Sequence, residues 1–484
     1  MPTEKTFTSY LSEIDFLSYF DKRLLPKKGG GRDHMSPSSY RNLFIKETDW
    51  IKDKLITGDY RFSAYQEKLI LKGKGKLPRV LSIPTIRDRF VLSILNGYLT
   101  NQLELKHEAP NRYIYNITVY MNENKDNPLY FLKTDISSFY DSINHSVLIK
   151  QLSEKIDSVA LKLILDAITT PTISNSIDCN KINLVGVPQG LSISNILAAV
   201  YMNKCHQSLK KALEPGLFLR YVDDILVLTP EQVDIRSIIN NHIARYNLGL
   251  KLTEAKTQSG EINVDEFDYI GYKIAGNKIS IKQANRDKFT NRVIRRCFQA
   301  NRQYDDALLR PRFIKDNQEF IEYTEADLNL LISGFRVTNH NYGWIAYFQQ
   351  MTDLEILYQI DALIKKSLGT KLYGKLNINS IVRTYYDIRN NGGRSILIDF
   401  DKITERGERI AYLLKFGYLR KSETEDISDN EIDRKFNCLV KHFVKKSEMD
   451  IRELSESKKE GMAADAGLTF NVSIGETILL FRTI

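Results

Sequence analysis

Residues 220–228 read RYVDDILVL, and two adjacent acids, Asp223 and Asp224, interrupt an otherwise apolar, strand-forming run. Such a run buries itself in a sheet, and an unpaired carboxylate resists burial. The longer stretch LFLRYVDDILVLT (217–229) predicts strand, acidic turn, strand. Asp favours tight turns on its own account, so the pair alone does not establish a function. A third acid changes the reading. LYFLKTDISSFYDSI (129–143) predicts a strand that closes at Asp135 and exits into a helix. Two strand ends side by side bring three carboxylates into one small volume, and such a cluster repels itself unless cations bind it. Hard oxygen ligands in an incomplete cage suit Mg²⁺, with Mn²⁺ as the alternative, leaving room for waters and substrate phosphates. Two such ions about 3.5–4 Å apart activate an attacking hydroxyl and stabilise the leaving oxygen of a phosphoryl displacement.

Working outward, residues 1–60 predict helices broken by a loop at 26–39, whose glycines and lysines lack the GK[ST] of a phosphate loop. LILKGKGKLPRVLSIP (69–84) predicts a hairpin with a cationic tip, followed by an amphipathic helix over 87–105. VGVPQGLSISNILAAVYMNKCHQSLKKAL (185–213) is a Pro/Gly turn feeding a long helix. LGLKLTEAKTQ (248–258) and FDYIGYKIAGNKISI (267–281) predict further short strands. Strands and helices interleave as α+β. Beyond 282 the chain turns helical, and TDLEILYQIDALIKKSLG (352–369) offers a capping box, Thr352 with Glu355, and a closing Gly369. SETEDISDNEID (422–433) reads as an exposed acidic linker before a short final unit, 434–484.

The 484 residues suggest more than one domain, and 42% apolar with 27% charged residues is a globular composition. No apolar run is long enough to span a membrane, and the N-terminus lacks a signal-peptide pattern. Cys179, Cys205, Cys297 and Cys438 lie too far apart for a zinc motif or a disulfide framework, which fits a cytoplasmic protein. Net charge is +9 and unevenly spread. Residues 68–89 hold seven Lys/Arg against one acid, and residues 281–315 hold ten against three. Two such windows suit a polyanion such as nucleic acid, although one alone could be a solvated surface.

The order of these motifs resembles a reverse transcriptase of the group II intron/retron-like lineage, through most of residues 60–280. FLKTDISSFYDSINH resembles the first catalytic block, GVPQGLSISNILA the PQG block, YVDD the second catalytic block, and LKLTEAKTQ and FDYIGYKI the two that follow. KGKLPRVLSIPTIRDRFV resembles the fingers block. The resemblance implies a right-hand polymerase: an N-terminal helical region (1–60), fingers (61–130), palm with an antiparallel sheet (131–281, with 150–185 partly fingers), helical thumb (282–400) and a mostly helical C-terminal extension (401–484). It implies RNA-directed DNA synthesis with two Mg²⁺ ions held by Asp135, Asp223, Asp224 and the carbonyl of Ile136. Side chains alternate along a strand, so Asp223 and Asp224 cannot face Asp135 equally, and Asp224 is taken as the peripheral member. Tyr140 falls where the family crowds the sugar 2′ position. Arg79 with Lys76 or Lys74 falls where it holds the triphosphate. Gln189 and Gly190 fall where it contacts template base and nucleotide, and Lys256 where it protonates pyrophosphate. Ser194-Asn195 departs from the family's usual Ser-Pro. Lys72, Lys74, Arg87, Arg292, Arg295, Arg296 and Arg302 are offered to nucleic-acid phosphates. GFRVTNHNYGWIAYF (334–348) resembles part of a thumb, with Trp344, Tyr342 and Tyr347 read as core.

No nuclease, integrase or RNase H segment is recognised, and the shape is most like stand-alone bacterial anti-phage reverse transcriptases. The implied partners are dNTPs, an RNA template, in particular a dedicated noncoding RNA, the DNA product and the RNA–DNA hybrid; homo-oligomerisation stays open. Against an RNA-dependent RNA polymerase stand Tyr221-Val222 before the acids and the aromatic Tyr140. Untemplated or protein-primed synthesis, and an RNA-binding splicing cofactor, stay open.

Overall fold

The computed structural model describes residues 5–25, 30–71, 78–103, 110–174 and 182–455. The chain divides into two compact units: residues 1–109 with 119–262, and residues 110–118 with 263–484. The hairpin tip at 72–77, with Lys72, Lys74 and Lys76, lies outside the described residues, as do Cys179 and residues 456–484.

In the first unit, helices Phe7–Ser12, Phe16–Arg23 and Pro37–Thr57 each start at a side-chain cap, Thr6, Asp15 and Ser36. These oxygens satisfy amide groups that the first helical turn leaves unpaired. The third helix starts inside the segment expected as loop, because Pro37 is preset for a first helical position. Phe16, Phe20 and Phe44 cluster on Phe90 of helix Ile86–Leu103, with Phe44 and Phe90 ring centroids 4.6 Å apart.

The strands of this unit are β1 (Tyr65–Ile70), β2 (Arg79–Ile83), β3 (Tyr130–Asp135), β4 (Thr172–Ile173), β5 (Leu217–Tyr221), β6 (Asp224–Thr229) and β7 (Gln258–Glu261). β1 and β2 form the expected antiparallel hairpin, with Ile70 opposite Arg79, and β4 adds parallel to β1. A four-stranded antiparallel sheet runs β5-β6-β3-β7. Ile225, Leu226, Val227 and Leu228 of β6 are wholly buried, as the apolar flank of the acidic turn demanded. Of the expected strand at 248–258 only the last residue, Gln258, lies in a strand, β7, which occupies the edge of β3; before it Leu252 makes an isolated bridge to Ile136, and Glu254–Lys256 curl into a 3₁₀ turn.

In the second unit β8 (Glu266–Tyr269), β9 (Tyr272–Ala275) and β10 (Lys278–Ile281) form an antiparallel sheet. Helices Gln283–Asp305, Asn317–Ile332, Glu355–Tyr373, Ile381–Asn391, Arg406–Lys415 and Asp429–Ser455 follow. A small sheet of β11 (Phe335–Val337), β12 (His340–Tyr342) and β13 (Ile398–Asp399) interrupts them. Trp344 stacks on Phe289 at 4.2 Å, in the core as expected. The capping box does not form: the amide of Ile279 donates to Thr352 Oγ1 at 2.9 Å, so that oxygen serves β10 instead. Gly369 does break the helix, at φ +64. The acidic stretch is shorter than expected, because helix Asp429–Ser455 starts within it. The architecture is thus α+β, with an antiparallel sheet and a helical C-terminal region. Among the described residues no helix is long and apolar enough to cross a membrane.

Candidate active site

The three acids meet at one end of the four-stranded sheet. Asp135 is the last residue of β3, and its ladder partner is Asp224, the first of β6. Only Val222 and Asp223 join β5 to β6, so the hairpin turn itself carries the second acid. Val222 sits at φ +58, a region that a β-branched residue adopts only under strain of about 1–3 kcal/mol. Three contacts hold it there. Arg220 Nη1 donates to the Val222 carbonyl at 2.8 Å, and the Ile136 amide donates to the Asp223 carbonyl at 2.9 Å. The Val222 side chain packs against the unit's core.

The loop after β3 is pinned in turn. The Thr253 amide donates to the Asp135 carbonyl at 2.7 Å, and the Ser137 amide to the Lys251 carbonyl at 2.8 Å. Those bonds carry the Glu254–Lys256 turn to the sheet end, where the Lys256 ammonium pairs with Asp135. Lys133 Nζ lies 3.4 Å from Asp224 Oδ1, and no described group hydrogen-bonds that buried oxygen in good geometry. Lys133 was not anticipated from the sequence, though its position was informative: two residues before Asp135 on a strand, it faces the same side.

Burial pushes the Asp223 carboxyl up from its ordinary value, and the neighbouring Asp135 pushes it further, while Lys256 and Arg79 pull it back. Burial raises Asp224 to about 7, with Lys133 opposing and the other two acids adding to the rise. A buried cluster that resists ionisation in this way is what a bound cation relieves. Among the described residues no group of three or more acidic, His or Cys side chains is set closely enough to hold an ion as it stands. Lys133 and Lys256 draw two of the carboxylates to themselves. The donor set nevertheless fits a hard divalent ion: carboxylate oxygens only, one of them buried without a hydrogen-bond partner.

Around the acids lie the residues expected to meet a nucleotide. Tyr140 opens a 3₁₀ turn five residues past Asp135, and its hydroxyl donates to Asn195 Oδ1 at 2.7 Å. Burial and the charge of Asp223 push its phenol up to about 12, against the pull of Arg79 and Arg220. Asp223, Tyr140 and Arg79 therefore share one electrostatic neighbourhood. Gly190 abuts β2: at φ +109, an added Cβ would stand 2.9 Å from the Ser82 carbonyl oxygen. The Ser82 amide donates to the Gln189 carbonyl at 2.7 Å, tying the PQG turn to the strand that starts at Arg79. Gln189 Nε2 reaches Asp141 Oδ1 at 3.4 Å.

The basic residues divide. The Arg87 guanidinium lies 5.3 Å over the Trp50 ring, beside Asp88, a buried acid bonded by Tyr60, Ser63 and Thr85. Arg296 pairs bidentately with Asp327 at 2.5 and 2.8 Å. Both were expected to face nucleic acid and are instead engaged inside their own units. Arg295 and Arg302 are exposed and Arg292 partly so, all on helix Gln283–Asp305 of the second unit.

Residues 70–274 match the family model described as reverse transcriptase (RNA-dependent DNA polymerase). Residues 70–274 are therefore similar to a reverse transcriptase domain. This domain class is a nucleotidyltransferase, and the match spans β2, the PQG turn and all three acids. Among curated proteins, the chain is 28% identical over 205 residues to an uncharacterized 91 kDa protein in the cob intron of Schizosaccharomyces pombe. That match covers 41% of this chain and 25% of the relative, so the chain spans about a quarter of the relative's length. It is 21% identical over 313 residues to protein YkfC of Escherichia coli, covering 54% of this chain and 81% of that protein. Among solved structures, a telomerase from Candida albicans in complex with a fragment of telomeric RNA aligns with 88% of this chain and 69% of its own. The identity there is 15% and the TM-score 0.41.

Proposed function

We propose that the protein is an RNA-directed DNA polymerase whose reaction centre is the end of the β5-β6-β3-β7 sheet. The observation that carries this reading is the meeting of Asp135, Asp223 and Asp224 on a ladder pair and a locked two-residue turn, inside the matched domain. Asp135 and Asp223 would hold the divalent ions, with Asp224 supporting them from the ladder position and the Ile136 carbonyl as a further ligand. Bound there, two Mg²⁺ ions supply Lewis acidity and charge neutralisation for phosphoryl transfer.

The chain's own groups do the rest. The Arg79 guanidinium binds the triphosphate, with a lysine of the hairpin tip. The Tyr140 ring occupies the space a ribose 2′-hydroxyl needs, which favours dNTPs. Gln189 and Gly190 present the backbone against which base and template settle. Lys256, which pairs with Asp135, gives a proton to departing pyrophosphate in this reading. Arg292, Arg295 and Arg302 track phosphates of the hybrid.

An RNA template is the natural partner, and a dedicated noncoding RNA used in anti-phage defence is the biological role the family resemblance favours. Purified protein with Mg²⁺, dNTPs and its co-purifying RNA is expected to make DNA, and Asp223→Asn with Asp224→Asn to stop it. Undiminished synthesis by the double variant refutes the assignment of the acids. Sequencing the bound RNA and DNA identifies template, primer and product together.

A further inference from the structure

Tyr140 is held at both ends by a single segment. Its carbonyl accepts from the Val187 amide at 2.8 Å, and its hydroxyl donates to Asn195 Oδ1 at 2.7 Å. Asn195 is the second residue of helix Ser194–Ala212, whose start has no side-chain cap. Ser194 Oγ instead donates to the Pro188 carbonyl at 2.7 Å, locking the helix start to the PQG turn. Asn195 is exposed, so the fold does not need its side chain for packing. Its Oδ1 has this defined task at the one position where the block departs from the family's Ser-Pro. A proline there has no side-chain acceptor.

We propose that Asn195 is a positioning residue for sugar discrimination: its Oδ1 anchors the Tyr140 hydroxyl and fixes the ring against the nucleotide. The inference rests on the polymerase reading above. An aromatic ring excludes a 2′-hydroxyl only if it stays put, and a Tyr on a short turn has rotamer freedom to swing aside. The Asn195 bond removes that freedom. The same 187–195 segment carries Gly190 against β2, so the ring and the Arg79 strand share one reference frame.

The test compares kcat/KM for a dNTP and the matching rNTP in single-nucleotide incorporation. Tyr140→Phe, which keeps the ring and removes the donor, and Asn195→Ala, which removes the acceptor, should each lower the dNTP preference about threefold to tenfold, the weight of one neutral hydrogen bond. The double variant should be no worse than either single one, because both remove the same bond. Asn195→Asp retains an acceptor and should restore the preference. Preference within twofold of wild type in Asn195→Ala and Tyr140→Phe, with Tyr140→Ala losing it, overturns the inference and leaves the polymerase reading intact. Additive losses in the double variant overturn it as well. Absence of polymerisation by the wild-type chain overturns both the inference and the reading beneath it.

Discussion

Replacing Asp224 with Asn should stabilise the metal-free protein while impairing synthesis, and the gain should depend on pH in a defined direction. Asp224 is an acid whose carboxyl is raised in the fold from an ordinary 3.8 to about 7. The unfolded chain ionises it freely above pH 4, whereas the folded chain resists until near pH 7. The fold is therefore penalised little below pH 4, increasingly between 4 and 7, and fully above 7. Three units at about 1.4 kcal/mol each give a full penalty of about 4 kcal/mol at pH 8, and about 2 kcal/mol at pH 5. Asn has no charge to bury, so the penalty disappears in the variant. The opposing pull of Lys133, whose side chain is only 17% exposed, is already contained in that raised value. The gain is then about 4 kcal/mol at pH 8 and about 2 kcal/mol at pH 5.

At pH 5 the folded chain holds Asp224 protonated and Lys133 faces no anion in either protein, so the difference between the two pH values, about 2 kcal/mol, isolates the ionisation of the carboxylate. Urea unfolding of both proteins in a chelator at pH 5 and pH 8 measures it. Repeating the pH 8 measurement with Mg²⁺ adds a control: the ion should stabilise the wild type more than the variant, by mass action on the folded state. A variant less stable than wild type at pH 8, or a gain equal at both pH values, refutes the view that Asp224 is buried at a free-energy cost.

Burial beside Arg220 pushes the His206 imidazole down from 6.5 to about 4. The unfolded chain takes up the proton first, so stability is full above about pH 6.5 and falls as pH drops toward 4, by about 2 kcal/mol between pH 7 and 5. His206→Gln should flatten that part of the pH profile in urea titrations. Gly190→Ala places a methyl group 2.9 Å from the Ser82 carbonyl oxygen at φ +109. It should cost about 1–3 kcal/mol and at least tenfold in DNA synthesis, read by melting and primer extension. Arg296→Ala breaks the bidentate pair with Asp327 and should lower the stability of the chain by about 1–3 kcal/mol. Arg295→Ala should leave stability unchanged within about 0.5 kcal/mol and weaken binding to an RNA–DNA duplex at low salt, read by filter binding.

The elements around the acids were legible because their signals are local. Alternation ending at Asp135, and two acids between apolar runs, follow from the two-residue period of strands and the chemistry of turns. What the sequence hid needs contacts between distant residues. The tie from Tyr140 to Asn195 crosses 55 positions and has no periodic signature. Arg296 looked like one more surface cation until the fold brought Asp327 from 31 residues away. Counting charges cannot reveal a partner of that kind. The strand expected at 248–258 has the same origin: alternation in LGLKLT satisfied the local rule, but β7 takes the edge of β3 only from Gln258.

The same dependence on long-range contacts separates the three acids from one another. Asp135 is paired directly with Lys256, which the segment leading into β7 delivers through the Thr253 and Ser137 backbone bonds. Asp224 is compensated only in part by Lys133 of the adjacent strand, two residues from Asp135 and on the same face, and burial still raises it to about 7. Asp223 feels Lys256 and Arg79 through space, while burial and Asp135 oppose its ionisation. Its backbone, by contrast, is fixed: the Ile136 amide holds its carbonyl, and Arg220 holds the carbonyl of the strained Val222 before it. Asp223 and Asp224 are both buried and both resist ionisation, so the ionisation of each gains from an added cation. Strain at Val222 and the apolar flanks of β5 and β6 thus serve one end, which is to hold the Asp223 backbone at the sheet end beside the other two acids.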